Sequence, residues 1–116
     1  MTHTLQSYIA GQWLGQQSAQ TLRSAINGQT VATTHAEAID FESAVHHARS
    51  VGLKNLMAMD FQERAQRLKA LAKYLMDHKE ALYAISAHTG ATKADSWIDI
   101  DGGAGTLYAY AGMGSN

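Results

Sequence analysis

Histidine is the first residue type in this sequence that could do chemistry, because its imidazole binds metals and transfers protons near neutral pH. His46 and His47 are adjacent on a predicted helix, so their side chains point to different sides and cannot readily share one metal ion. His78 and His88 stand on either side of a predicted helix break, and the sequence has no thiolate to join them. We therefore predict surface or helix-end histidines and no zinc site.

Three carboxylates, Asp95, Asp99 and Asp101, lie close together in the sequence and suggest a pair for acid–base catalysis. Asp95 and Asp99 have i,i+4 spacing near the N-terminus of a predicted helix, where the helix dipole favours negative charge. We therefore interpret these residues as charges that stabilise a helix start rather than as catalytic groups.

Three glycines, Gly102, Gly103 and Gly105, resemble a phosphate-binding loop at first sight. A dinucleotide fingerprint places its glycines directly after a strand and at the start of a helix, whereas these lie well inside a helical pattern. Glycine in a helix interior costs about 1 kcal/mol relative to alanine. We therefore expect another element to press against this face, and the sequence contains no obvious candidate for that element.

Four aromatic residues suggest a platform on which nucleic-acid bases could stack. They are Trp13, Trp97, Tyr108 and Tyr110. No basic residues are interleaved with them, so we interpret them as core or interface residues.

The serines and the basic residues also have structural explanations. Serines such as Ser43, Ser86 and Ser96 lack the G-x-S-x-G setting of an activated nucleophile. A row of basic residues fits the solvated face of a helix, with an anion-binding role as the alternative: Arg64, Arg67, Lys69 and Lys73. The sequence thus predicts no catalytic, cofactor-binding or metal-binding residue.

Composition excludes several classes of protein. The chain has 116 residues and a formal net charge of −1, so no long-range field would attract nucleic acid or an anionic membrane. It has no cysteine, which excludes disulfides, thiolate metal sites and a cysteine nucleophile within these residues. No basic leader and no apolar run of about 20 residues is present. We expect a cytoplasmic protein without a nucleic-acid or membrane partner.

The first part of the sequence, from Ser7 to about Thr34, has short β-prone segments broken by turn signals. Ala10 and Gly11 separate one pair of segments, and Asn27 and Gly28 separate another. Asn-Gly is the strongest two-residue hairpin signal, because both residues tolerate positive φ. We therefore predict two β-hairpins, which need further structure to lie on.

After Ala36 the apolar period becomes helical. Asp40 is the predicted N-cap of a first short helix, which carries Phe41 and Val45 and ends at Gly52. Asp60 and Glu63 form the capping box of a second helix.

Two further helices complete the predicted order. The third runs from about Lys79 to His88 and ends at Thr89 and Gly90. Thr92 and Asp95 open the fourth, again with a capping-box pattern.

The sequence contains the segment ERAQRLKALAKYLMDHKEALYAISAHTGATKADS, which, after two hairpins and a short helix, resembles the opening of the aldehyde dehydrogenase superfamily. That superfamily has an E-R-x-x-x-L-x-x-x-A helix, then a helix ending in T-G and a further long helix. The corresponding positions here are Glu63, Arg64, Leu68, Ala72, Thr89 and Gly90. More narrowly, the segment from Thr89 to Ser115 is similar to that region in the bifunctional ring-opening enzymes of bacterial phenylacetate degradation, which join an NADP-dependent dehydrogenase half to an oxepin-CoA hydrolase half.

The resemblance implies an α+β fragment of an α/β aldehyde dehydrogenase fold, with hairpins over residues 1–36 and the helical part of an incomplete cofactor domain over 37–116. In that family the nucleophilic cysteine, the general-base glutamate and the groups that hold NADP or NAD lie further along the chain. The resemblance therefore implies a scaffold that binds no cofactor alone, whose partner is the remainder of the chain, and a homo-oligomer when complete. The alternative is a small self-sufficient helical module that binds a partner protein through the Gly102 to Ala111 face.

Overall fold

The computed structural model describes residues 2–15, 20–35 and 39–115. The chain divides into two compact units, Met1–Asn55 and Leu56–Asn116. Each unit is described by itself below.

The first unit begins with five short strands. They are β1 (His3–Thr4), β2 (Ser7–Ile9), β3 (Gln12–Leu14), β4 (Gln20–Arg23) and β5 (Thr30–Thr34). Strands β2 and β3 form a two-stranded antiparallel sheet. Strands β1, β5 and β4 form a second sheet in that order, in which β1 runs parallel and β4 antiparallel to β5. The short parallel strand β1 was not predicted, because two residues carry no periodic signal.

The first predicted hairpin, β2–β3, is confirmed. Ala10 and Gly11 form its two-residue connection with φ of 52° and 79°, as a primed turn requires. Tyr8 pairs with Trp13 across the strands, and their ring centroids lie 4.9 Å apart. Such aromatic cross-strand pairs stabilise a short hairpin.

The second predicted hairpin, β4–β5, is present, but its connection is longer than an Asn-Gly turn. The Gly28 N–H donates to the Ser24 carbonyl at 2.9 Å, and the Ser24 N–H donates to the Gln29 carbonyl at 2.8 Å. Asn27 accepts the Gln29 N–H through its side-chain oxygen at 3.0 Å, and Gly28 has a φ of 71°. Asn27 and Gly28 therefore close a longer loop instead of forming a two-residue turn.

A continuous helical stretch follows. It comprises α1 (Phe41–His47), a π-helical segment (Ala48–Gly52) and α2 (Leu53–Met57). The Asp40 N-cap is confirmed, because its carboxylate accepts the Ser43 N–H at 3.0 Å and the Ser43 hydroxyl at 2.6 Å. The predicted stop at Gly52 is wrong. Gly52 is not among the glycines with positive φ, so the chain stays helical and the Leu53 N–H reaches the Ala48 carbonyl.

The second unit contains three longer helices. They are α3 (Phe61–Asp77), α4 (Lys79–Ser86), which continues as a 3-10 turn (Ala87–Thr89), and α5 (Lys93–Gly114). Both predicted capping boxes are confirmed, at Asp60 with Glu63 and at Thr92 with Asp95. Gly90 ends the third predicted helix in the left-handed conformation, with a φ of 88°.

The core of the second unit lies between α3 and α5 and consists of alanines. Ala65, Ala72, Ala104 and Ala111 are buried, and Ala72 is 0% exposed. Gly114 continues this row, close to Ala65. Within the described residues no large side chain is fully buried. The buried positions between the two helices are therefore alanines, and the larger side chains of both helices are half-buried or exposed.

Candidate functional site

The most concentrated polar cluster of the second unit lies between α4 and α5. The Tyr83 hydroxyl donates to one carboxylate oxygen of Asp101, and the Lys79 Nζ lies 3.8 Å from the other. The Asp101 side chain is only 14% exposed, so these two neighbours supply its partners in place of water.

The hydrogen bond to Asp101 raises the pKa of Tyr83 to about 12, with smaller contributions from burial and from the negative charge of Asp101. The phenol therefore stays protonated at neutral pH. It serves as a hydrogen-bond donor and not as a general base.

A second polar contact joins the same two helices. The hydroxyl oxygens of Ser86 and Ser96 lie 2.7 Å apart, and Ser96 is 2% exposed. A hydroxyl does not remove the proton of another hydroxyl at neutral pH, so this pair is not an activated nucleophile. Both contacts fix α4 against α5.

A shallow groove of about 370 Å³ runs beside this cluster. Its polar lining comes from Glu80, Tyr83, Lys93 and Ser96, and alanines supply the rest. Tyr83 and Ser96 already form hydrogen bonds with other side chains. The remaining polar residues of the groove are Lys93 and Glu80, and no reactive group lies between them. This arrangement orders helices but carries out no recognisable reaction.

The first unit has an open groove of about 470 Å³ along α1 and the π-helical segment. Phe41, Val45, His46 and Arg49 line it. These residues follow one another at helical spacing, so the groove is the surface of one helix and not a pocket between elements.

The histidines singled out from the sequence lie within helices or at helix ends. His46 is exposed and His47 half-buried on α1. His78 follows the last residue of α3, where its Nδ1 lies 2.8 Å from the Tyr74 carbonyl and its ring stacks on Tyr74 at 4.2 Å. The helix-end interpretation of His78 is therefore confirmed. Within residues 2–15, 20–35 and 39–115, no group of three or more potential ligands could hold a metal ion.

The three aspartates singled out from the sequence differ in their environments and hydrogen-bond partners. Asp95 accepts the Thr92 hydroxyl at 2.8 Å in the capping box of α5, which confirms its predicted role. Asp99 is exposed. Asp101 instead bonds to Tyr83 on α4, a contact that sequence reasoning missed. The i,i+4 spacing of Lys79 and Tyr83, which puts both on one face of α4, was the available signal.

The predicted basic face of α3 is partly engaged. Nε and Nη2 of Arg64 donate to the Leu56 carbonyl at 3.0 and 2.6 Å, and its guanidinium lies 5.8 Å from the Phe61 ring centroid. Lys73 pairs with Asp77 at 2.6 Å on the surface. Arg64 thus holds the chain that precedes α3, which favours a structural role over anion binding at that residue.

Comparison with known proteins identifies the family of this chain. The model of the aldehyde dehydrogenase family matches residues 13–116. The chain belongs to the aldehyde dehydrogenase family. A 3,4-dehydroadipyl-CoA semialdehyde dehydrogenase from Aromatoleum evansii is 32% identical over 112 residues. That match covers 95% of this chain and 22% of the Aromatoleum protein, so the chain spans about a fifth of the length of this relative.

Membership of the aldehyde dehydrogenase family confirms the predicted fold class. Small sheets near the N-terminus precede the helices, as expected of an α+β fragment of an aldehyde dehydrogenase domain. No helix in the described part of the chain is long and apolar enough to cross a membrane.

The glycine face of α5 is open in this aldehyde dehydrogenase segment. A Cβ added to Gly102, Gly103 or Gly105 would meet nothing within 4 Å. No described element therefore presses on these positions, and the expectation of a close neighbour stays a prediction. The glycines also lie inside α5 and follow no strand directly, so they do not form a dinucleotide-binding turn.

The aromatic residues of the aldehyde dehydrogenase segment do not lie in a core. Trp13 is 64% exposed and Trp97 is 58% exposed, while Tyr108 and Tyr110 are also exposed. The core alternative for these residues is therefore wrong within the described part of the chain, and the interface alternative stays a prediction. Their composition suits an interface, because aromatic side chains are enriched there.

Proposed function

We propose that this chain is the N-terminal scaffold segment of an NAD(P)-dependent aldehyde dehydrogenase and is not catalytic alone. The observation that carries the proposal is the family match over residues 13–116 in a chain that spans about a fifth of a relative's length. Its polar side chains cap helices and join α4 to α5. Its contribution to the enzyme would then be the placement of packing surfaces.

The distribution of apolar side chains supports this proposal. Phe41 and Phe61 are among the most exposed large residues of the chain, and Ile98 and Met113 are exposed on α5. Burying a side chain of this size contributes about 1.5–3 kcal/mol. Because these residues gain only a small part of that energy here, we propose that the remainder of the enzyme covers them.

The residues present do not fit a nicotinamide cofactor. The glycines of α5 lie within the helix, and the polar side chains of α4 and α5 form hydrogen bonds that join these two helices. We propose that NADP or NAD binds the complete enzyme through residues outside this segment, as the family resemblance implies. The chain has no cysteine, so the thiolate nucleophile that the family uses would also come from outside it.

We propose a semialdehyde as the substrate of the complete enzyme. Support comes from the Aromatoleum relative, which is named for its action on 3,4-dehydroadipyl-CoA semialdehyde. A place in phenylacetate degradation, a hydrolase half, a cytoplasmic location and a homo-oligomeric state are parts of the same proposal and rest on the sequence resemblance.

A chimaera tests the scaffold role. This chain would replace the matching 112 residues of the Aromatoleum enzyme, and aldehyde-dependent formation of NADPH or NADH would be measured. We expect activity above background from the chimaera and none from the 116-residue chain alone. A matched chimaera carrying Ala72→Glu should lose that activity, because Ala72 is fully buried between α3 and α5. Turnover by the chain alone would contradict the proposal.

The open face of α5 also suits the alternative of a self-sufficient interaction module. That module would unfold in one cooperative transition, and Gly103→Leu would abolish its binding to a partner. The scaffold proposal instead expects a broad transition and strong binding of a hydrophobic dye to exposed apolar surface. Thermal denaturation followed by circular dichroism distinguishes the two.

A further inference from the structure

We draw no further inference here: the strongest candidate, the exposed stripe of small residues along α5 formed by Gly102, Gly105, Ala109 and Gly112, carries none because nothing in the described part of the structure shows what covers it.

Discussion

Gly114 at the end of α5 lies directly against Ala65 near the start of α3. A Cβ added to Gly114 would come within 2.9 Å of the Ala65 Cβ and 3.2 Å of the Phe61 carbonyl oxygen. Since the last turn of α5 meets the first turns of α3, the two helices run antiparallel. Glycine is required at this position by close approach of the backbones.

The first prediction concerns this contact. Gly114→Leu should lower the free energy of opening of α3 and α5 by about 1–3 kcal/mol, because the Phe61 carbonyl cannot move aside as a flexible side chain would. Amide hydrogen exchange of the two helices measures the change. Gly112→Leu is the matched control, since a Cβ there meets nothing within 4 Å. Equal protection of the α3 and α5 amides from exchange in the two variants would contradict the close packing of Gly114 against Ala65.

The second prediction concerns the open glycine face. In the isolated chain, Gly102→Ala and Gly105→Ala should each stabilise α5 by about 0.5–1 kcal/mol, because alanine is the better helix former and nothing opposes its methyl group. In the active chimaera the same pair should reduce activity if another element covers this face. Helix content by circular dichroism and NADPH formation provide the two measurements. If the two substitutions raised the helix content of the isolated chain without lowering the activity of the chimaera, no element would cover the glycine face of α5.

The third prediction concerns the titration of Tyr83. Its pKa of about 12 lies above the ordinary 10.0 because its hydroxyl donates to Asp101. The stabilisation from this contact is therefore complete below pH 10 and is lost as the pH rises through 12. In an ultraviolet titration of the five tyrosines, one should ionise late.

Two variants assign that late step. Tyr83→Phe should remove it, and Asp101→Asn should bring it back toward the ordinary value, because the carboxylate that holds the proton is gone. A late-ionising tyrosine that persists in Tyr83→Phe would refute the assignment.

The fourth prediction concerns the Asp40 cap of α1. The Ser43 hydroxyl, and then the Ser43 N–H, lower the pKa of Asp40 below 3.8. The stabilisation that this cap provides is present above pH 3.8 and is lost as the pH falls through the lowered value. The Ser43 amide resonance, followed by nuclear magnetic resonance, should titrate below pH 3.8. Ser43→Ala should move the Asp40 titration upward, and an unchanged midpoint would count against the cap.

The fifth prediction concerns Trp97. It is 58% exposed in this chain, so acrylamide should quench its fluorescence efficiently in the variant Trp13→Phe, which leaves Trp97 as the single tryptophan. In the chimaera, covering of α5 by the rest of the enzyme should shield it. A Trp97 that is already protected in the isolated chain would contradict the exposed surface on which the scaffold proposal depends.

The starts of the helices could be predicted from sequence because their signals are local. The pairs Asp60 with Glu63 and Thr92 with Asp95 contain both partners of each capping box within one turn, so nothing distant decides the outcome. The reversal at Ala10 and Gly11 is local in the same way. These elements were therefore predicted correctly.

The failures arose where a residue depends on more than its neighbours. Gly52 is the residue type that commonly ends a helix. Here the chain instead forms a π-helical segment, which accommodates one extra residue, and continues into α2. The bond between Tyr83 and Asp101 joins two helices, and the spacing of Lys79 and Tyr83 on α4 indicates a shared face but not the partner on α5. The exposure of Trp97 could not be predicted either. Periodicity shows which residues share the apolar face of a helix, but not whether another element packs against that face.

The alanine row between α3 and α5 has a consequence for the order of assembly. An alanine has no rotamer freedom to lose, whereas fixing a leucine or a methionine costs about 0.5–2 kcal/mol in side-chain entropy. The contact between the two helices therefore forms without fixing the rotamers of larger side chains at its buried positions, which are Ala65, Ala72, Ala104 and Ala111. We therefore expect the contact between these two helices to form with little loss of side-chain entropy, before the rest of a polypeptide packs on it.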